Sequence, residues 1–317
     1  MNALLVLIKR NQNLIANLNP THKAMLWAGA AGFIFCMLNA TLRAMSLQMN
    51  GFEAQFLRYL FGLIVLLPIA FRSGISEGLR AYKPNGLSGQ LWRGAVHTAA
   101  LILWFAALPH LSLADTTAIG FMTPIFVMIG AGLFLREKMV AARWVAAGLG
   151  FVGMLIVMAP RLTGTGGVWM LVMLASAPVF AGSFLITKAL TKRDTSAVIV
   201  FWQALTVSAF TLPLALIHWV WPTPIQWAIF LLSGVLGSSG HWCLTNSFRV
   251  ADISSTQSLK FLDLVWSAAI GFVLFSDIPT SGSLIGGSII CAATVWIARR
   301  EAQQARQAAE QTVDDHF

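Results

Sequence analysis

Two charged residues and a tryptophan share one face of the apolar stretch SLKFLDLVWSAAIGFVLFSD, residues 258–277. Lys260 and Asp263 are three residues apart and Trp266 follows after three more, so a helix presents all three on the same side. A charge at the centre of a lone membrane helix costs about 2.5–3.5 kcal/mol, and opposite charges at this spacing partly neutralise each other. This face either binds a substrate or ion in a wet cavity or locks helices together through an ion pair.

Other polar residues interrupt apolar stretches elsewhere. Arg58, in FEAQFLRYLFG, lies one helical turn after Gln55 and on the same face. It either extends toward the membrane interface or reaches an anionic group in a cavity. His241 and Asn246 occur in LGSSGHWCLTNSF. A histidine at this position can carry a proton in coupled transport or bond to a neighbouring helix.

Trp104 and Trp266 lie inside apolar stretches rather than at their ends. An indole ring in a cavity can stack on a planar or cationic ligand, and elsewhere it simply fills space.

Gly234, Gly237 and Gly240 form a stripe of small residues, which predicts a close approach by another helix.

The composition is that of a chain dissolved in lipid. Apolar residues make up 57% of the 317 residues and charged residues 10%, whereas a soluble domain has about a quarter charged residues. The net charge is +9, but the basic residues form short clusters between apolar runs, so no nucleic-acid partner is expected. The three cysteines have no paired spacing, and we expect no disulfide, metal or cofactor.

Ten apolar stretches are long enough to cross the roughly 30 Å hydrocarbon layer as helices. The predicted spans are Ala24–Thr41, Phe52–Phe71, Leu91–Pro109, Ala114–Leu135, Trp144–Ala159, Val168–Thr187, Ala197–Val220, Ile225–Ser247, Ile253–Phe275 and Leu284–Ala298. With both termini in the cytoplasm, the inner side holds seventeen lysines and arginines and the outer side two, as the positive-inside rule requires. We therefore predict a multi-pass membrane protein with both termini in the cytoplasm.

The sequence repeats itself with an offset of about 140 to 145 residues. In this register Gly120 corresponds to Lys260 and Thr123 to Asp263. Each half holds five spans, and an odd number inverts the second half relative to the first. The predicted organisation is a cytoplasmic segment 1–23, a first repeat 24–160, a second repeat 166–300 and a cytoplasmic tail 301–317.

The ends of the two halves, ALPHLSLADTTAIGFMTPIFVMIGAGLFLREK and SFRVADISSTQSLKFLDLVWSAAIGFVLFSDIP, resemble the EamA domain of the drug/metabolite transporter superfamily. This resemblance implies an all-α membrane protein with ten helices in two inverted five-helix repeats. FEAQFLRYLFGLIVLLP, LGSSG and LKFLDLVWSA are similar to the branch that includes S-adenosylmethionine uptake carriers and riboflavin carriers. In that branch the ninth helix often has an arginine between aromatic residues, where this chain has Lys260. A carboxylate, Glu137, ends the fourth helix, and Asp277 is its counterpart.

The resulting hypothesis is a secondary transporter of a small polar metabolite that works by alternating access. S-adenosylmethionine and riboflavin uptake are the first candidates, and export of an amino acid or another metabolite is the alternative. An intramembrane enzyme is disfavoured because the HExxH motif of metalloproteases does not occur and no cluster of histidines and carboxylates is apparent. Expected partners are the metabolite, a coupling proton or counter-substrate and membrane lipid, and a homodimer is left open. The candidate site residues are Lys260, Asp263, Trp266, Arg58, His241, Asn246, Thr123 and Trp104.

Overall fold

A computed structural model describes residues 19–43, 49–111, 119–158, 167–217, 219–275 and 281–314. Regular structure in these ranges is entirely helical, which confirms the all-α prediction. The α-helices are α1 (Pro20–Arg43), α2 (Gly51–Ala70), α3 (Ile75–Ala81), α4 (Leu87–Ala107), α5 (Thr123–Phe134), α6 (Ala141–Met158), α7 (Val168–Leu190), α8 (Ser196–Ile217), α9 (Pro224–Val250), α10 (Leu262–Phe275) and α11 (Ser281–Asp314). Two 3-10 helices cover Leu108–His110 and Ile253–Phe261.

Every predicted span overlaps one of these helices, although not every helix meets a length and hydropathy criterion for crossing a membrane. Seven do so within the described ranges, namely α1, α2, α4, α6, α7, α8 and α9. Helix α5 is apolar but has only 12 residues. Helix α3 was not predicted, and it is a short, largely exposed helix between α2 and α4. The number of ten spans therefore stays a prediction.

The ninth predicted span, Ile253–Phe275, is not one continuous α-helix as expected. It begins with a nine-residue 3-10 helix, Ile253–Phe261, and α10 starts only at Leu262. Runs of this kind longer than three or four residues are uncommon. Its polar side chains explain the departure, because the Thr256 hydroxyl and the Gln257 amide both donate to the Ile253 carbonyl, at 2.9 and 2.8 Å.

The fourth predicted span has a break at the matching place. Helix α5 begins at Thr123, with Pro124 in its first turn, where the missing proline N–H is not needed. Residues 119–122 precede it, and 112–118 lie outside the described residues. Thr123 is the first residue of α5 and Asp263 is the second residue of α10, so the two helix starts agree with the repeat register to within one residue.

The helices of the two halves pack in a reciprocal pattern. Helix α1 packs along α9, and its counterpart α7 packs along α4. Helix α2 packs on its own counterpart α8, and α6 on its counterpart α11. Helix α2 also contacts α9, just as α8 contacts α4. Exchanging the halves leaves these contacts unchanged, as an internal two-fold relation requires.

The glycine stripe of α9 permits the close contacts that the sequence predicts. A Cβ on Gly234 would lie 2.7 Å from the backbone nitrogen of Gly62 in α2, and one on Gly240 would lie 2.8 Å from the ring of Phe35 in α1. The neighbouring Ser238 hydroxyl donates to the Gly62 carbonyl at 3.2 Å. Helices α1 and α2 can therefore approach α9 closely enough to enclose a cavity.

Candidate functional site

A cavity of about 270 Å³ lies between helices from both halves, and we call it the central cavity. This volume is at the small end of ligand pockets, which are about 300–1,000 Å³. Four of the predicted site residues line it, namely Arg58, His241, Lys260 and Asp263. Within the described ranges no three His, Cys, Asp or Glu side chains are grouped to hold a metal ion.

Lys260 and Asp263 form the ion pair that their spacing predicts. The Lys260 Nζ lies 2.8 Å from the Asp263 Oδ2, across the junction between the 3-10 helix and α10. The side chains are 28% and 20% exposed, so the pair lies at the cavity wall rather than in dry protein. The Asp263 carboxylate packs against Gly32 of α1, where a Cβ would overlap it. The pair can thus hold α10 against α1 and also present charge to a ligand.

Glu137, just after α5, anchors the 3-10 helix that carries Lys260. Its carboxylate accepts hydrogen bonds from the Ile253 N–H at 2.8 Å, the Ser254 N–H at 3.0 Å and the Ser254 hydroxyl at 2.6 Å. Arg143 donates to the same hydroxyl at 2.8 Å. A carboxylate from the first half therefore fixes the start of the ninth segment in the second half. Its counterpart Asp277 lies outside the described residues.

Arg58 is buried at the cavity wall and does not extend toward the membrane interface. Its Nε donates to the Gln55 Oε1 at 2.9 Å, as their shared helix face predicts. The guanidinium carbon lies 4.1 Å from the centre of the Tyr59 ring, a stacked cation–π arrangement. Gly237 of α9 leaves room for it, since a Cβ there would lie 3.3 Å from the Arg58 Nη1. Of the two alternatives raised by the sequence, the structure favours the cavity.

His97 and His241 both line the cavity, and both contact the hydroxyl of Tyr59. The Tyr59 hydroxyl lies 2.8 Å from the His97 Nε2 and 3.4 Å from the His241 Nε2, and the two imidazole rings are 5.9 Å apart. The His97 Nδ1 also lies 3.0 Å from the Ser183 hydroxyl. His97 is not among the site residues predicted from the sequence, because a lone histidine in a span more often bonds to its neighbours.

The lining of the cavity is itself repeated. His97 and His241 are separated by 144 residues, and Phe35 and Phe180 by 145, which matches the offset of the repeat. Phe35 packs edge-on against His241 at 5.0 Å, and Phe180 packs edge-on against His97 at 5.5 Å. The cavity therefore lies where the two halves face each other. This offset is the signal that could have identified His97 from the sequence.

Behind the histidines lies a buried arginine that the sequence reading assigned to the cytoplasmic charges. Arg93 of α4 is only 1% exposed. It donates to the Thr187 hydroxyl at 2.5 Å and to the Gln203 Oε1 at 2.9 Å. The Gln203 amide nitrogen in turn lies 3.4 Å from the His97 Nε2 and 3.3 Å from the His241 Nε2. A polar chain thus runs from Arg93 to the cavity wall.

The two predicted tryptophans do not line the central cavity. The Trp104 ring packs edge-on against Phe180, with 6.2 Å between centroids. The Trp266 ring packs edge-on against Phe33 at 5.6 Å, and its indole nitrogen is buried without a hydrogen-bond partner among the described residues. Both rings pack on phenylalanine side chains, and a role in ligand binding stays a prediction.

Thr123 and Asn246 also lie outside the cavity lining. Thr123 begins α5. Asn246 accepts a hydrogen bond from the Ser196 hydroxyl at 2.9 Å and donates to the Trp242 carbonyl at 2.9 Å. Asn246 therefore connects α9 to the start of α8. A ligand-binding role for either residue has no support in this geometry.

The sequence matches the EamA-like transporter family twice, at residues 22–159 and 167–299. Together the matches cover most of the chain. They fall on the two halves that the repeat and the reciprocal helix contacts define.

Proteins with related sequences include carriers for different compounds. A riboflavin transporter of Rhizobium johnstonii is 30% identical over 90% of this chain and 93% of its own length. An S-adenosylmethionine uptake transporter of Rickettsia felis is 28% identical over 79% of this chain and 83% of its own length. A pseudopaline exporter of Pseudomonas aeruginosa is 26% identical over 87% of this chain and 95% of its own length.

A solved crystal structure has the same fold. It aligns with a TM-score of 0.76 at 15% identity, covering 89% of this chain and 98% of the other. At that identity the likeness concerns the fold alone.

Proposed function

Because this chain belongs to the EamA-like transporter family, we propose that it carries a small polar organic metabolite across the bacterial inner membrane by alternating access. The observation that carries this proposal is the central cavity, which helices of both halves enclose and which Arg58, Lys260, Asp263 and two histidines line. Carriers built from two repeats bind substrate at the interface between them, and rocking of one repeat against the other opens the site to alternate sides.

We propose ten membrane spans in two inverted repeats, with boundaries at 24–160 and 166–300 and both termini in the cytoplasm. The reciprocal helix contacts and the two family matches support two equivalent halves. Five spans in each half invert one relative to the other, because five is odd. The excess of basic residues on the proposed inner side supports the orientation.

S-adenosylmethionine and riboflavin are the first candidate substrates, since related chains are named as transporters of these compounds. Export is the second candidate, and the relationship to a pseudopaline exporter favours it. A proton or a counter-substrate is the proposed coupling partner, and His241, which lines the cavity, is available to exchange a proton.

Purified protein reconstituted into sealed liposomes tests the proposal. Radiolabelled S-adenosylmethionine and riboflavin should enter protein-containing vesicles in a saturable manner and should not enter protein-free ones. Preloaded vesicles measure the opposite direction, which separates uptake from export. Absence of saturable movement of any tested metabolite would contradict a carrier. A chemically altered product would point to an enzyme, and conductance far above carrier turnover would point to a channel.

A further inference from the structure

The charges around the central cavity do not balance. Lys260 is neutralised by Asp263, whose carboxylate lies 2.8 Å away. Arg58 has no carboxylate in ion-pair distance among the residues that the structure describes, and its neutral neighbour Gln55 accepts its only hydrogen bond there, from Nε. A charge inside the membrane is normally paired or faces a water-filled cavity. The cavity wall thus carries one uncompensated positive charge, at Arg58.

The groups next to Arg58 hold it but do not neutralise it. The hydrogen bond to Gln55 and the cation–π contact with Tyr59 hold the guanidinium, and Gly237 leaves space at its Nη1. The terminal nitrogens have no hydrogen-bond partner in the described part of the chain. A fixed planar fork with free terminal donors matches a carboxylate, which accepts two parallel hydrogen bonds.

A second buried cation lies behind the wall and does not itself line the cavity. Arg93 is held by Thr187 and Gln203, both neutral, and its Nη1 has no partner within the described residues. Gln203 connects it to the two histidines of the cavity wall. Two arginines of the first half, on α2 and α4, therefore lie at and behind the cavity wall without a carboxylate partner among the described residues.

Resting on the proposed transport function, we propose that the transported molecule carries a carboxylate that pairs with Arg58. One carboxylate supplies the single negative charge that the wall lacks, whereas a phosphate monoester carries about −1.5 to −2 and overcompensates it. Phe35, Phe180 and Phe184 add apolar ring surfaces to the same cavity, which suits a planar group next to the acid. The substrate class is thus a small monocarboxylate with a planar or aromatic portion.

Matched ligand pairs test this assignment on the full-length protein in lipid nanodiscs. The pairs are S-adenosylmethionine with its decarboxylated form, phenylalanine with phenylalaninamide and nicotinate with nicotinamide, and riboflavin serves as a ligand without a carboxylate. Thermal stabilisation and direct binding are measured for each. We expect at least one acid to bind, and its partner without the carboxylate to bind about tenfold more weakly or worse, the loss expected for a charge-assisted bidentate contact.

Arg58→Gln should abolish the preference for the acid, and Arg58→Lys should retain only part of it, because an ammonium group lacks the planar fork. Arg72→Gln is the matched control, since it removes the same charge from an exposed position after α2. Each variant is first checked for a single elution peak and a cooperative melt. If Arg58→Gln fails to fold, Arg58→Lys and the wild-type ligand pairs still decide the question.

Equal binding of an acid and its partner without the carboxylate to wild-type protein would overturn the inference, as would failure of every acid to bind. Transport of riboflavin without binding of any acid would also overturn it, while leaving the carrier function intact. Failure of all the metabolites to cross the liposome membrane would instead contradict the carrier function itself.

Discussion

The two halves of the molecule share the framework of the cavity but not its charges. Phe35 and His241 on one side correspond to Phe180 and His97 on the other, with the same edge-on packing. The charged groups have no such counterparts. In the repeat register Arg58 corresponds to Gln203, which is neutral.

The same contrast separates the fourth and ninth segments. Gly120 and Thr123 occupy the positions that Lys260 and Asp263 occupy in the other half, and α5 and α10 begin at matching places. Gly120 faces the ring of Trp104, whereas Lys260 and Asp263 line the cavity as an ion pair. The repeated residues therefore form the framework of the cavity. The charged residues that line it have no charged counterparts in the other half.

We expect the largest effect on uptake when the charged residues without counterparts in the other half are substituted. Asp263→Asn leaves Lys260 without its counter-ion at the cavity wall, so saturable uptake into liposomes should fall on the order of tenfold or more. Lys260→Ala should have a similar effect, and both variants should remain folded. Wild-type uptake by both would assign the pair to helix packing alone.

The repeated part of the lining predicts that substitutions at equivalent positions reduce uptake equally. His97→Ala and His241→Ala each remove contacts to Tyr59 and Gln203, and we expect each to reduce uptake about fivefold, the effect of roughly 1 kcal/mol of lost hydrogen bonding. Parallel transport assays at one protein density provide the comparison. A large loss at only one histidine would show that the symmetry of the lining does not extend to its function.

The Glu137 carboxylate joins the two halves, and its loss should affect stability. Glu137→Gln weakens three hydrogen bonds to Ile253 and Ser254, which should lower the free energy of unfolding by about 1–3 kcal/mol. Thermal melts in detergent measure this change. Glu77→Gln, at an exposed position of α3, is the matched control and should leave the melting temperature unchanged. Equal melting temperatures of the two variants would contradict the anchoring role.

The smallest effect is expected at the neutral counterpart of Asp263. Thr123→Val removes a hydroxyl at the start of α5, outside the cavity lining, and uptake should stay within about twofold of wild type. The assay is the one used for Asp263→Asn, so the two equivalent positions are compared directly. A loss as large as that at Asp263 would place Thr123 in the transport pathway and remove the proposed asymmetry.

Sequence periodicity predicts the helices, the repeat and the Lys260–Asp263 pair, because these depend on local spacing. It does not predict the direction in which a single side chain faces, which depends on how each helix is rotated against its neighbours. Trp104 and Trp266 were predicted to face a ligand for this reason, yet both pack beside the cavity. Arg93 belongs to the seventeen basic residues assigned to the cytoplasmic side, because it lies near the start of α4 after a polar stretch. Its partners Thr187 and Gln203 come from the other half of the chain.

The 3-10 winding of Ile253–Phe261 has a mechanical consequence. Such a helix rises about 2.0 Å per residue, against about 1.5 Å for an α-helix, so these nine residues reach roughly 4–5 Å further than the same residues wound as an α-helix. Glu137 fixes the near end of this segment, and Lys260 lies close to the far end. Rewinding it would therefore draw the ammonium group back along the helix axis by several ångströms and turn it about that axis, and α10, which continues the chain from Leu262, would have to shift with it.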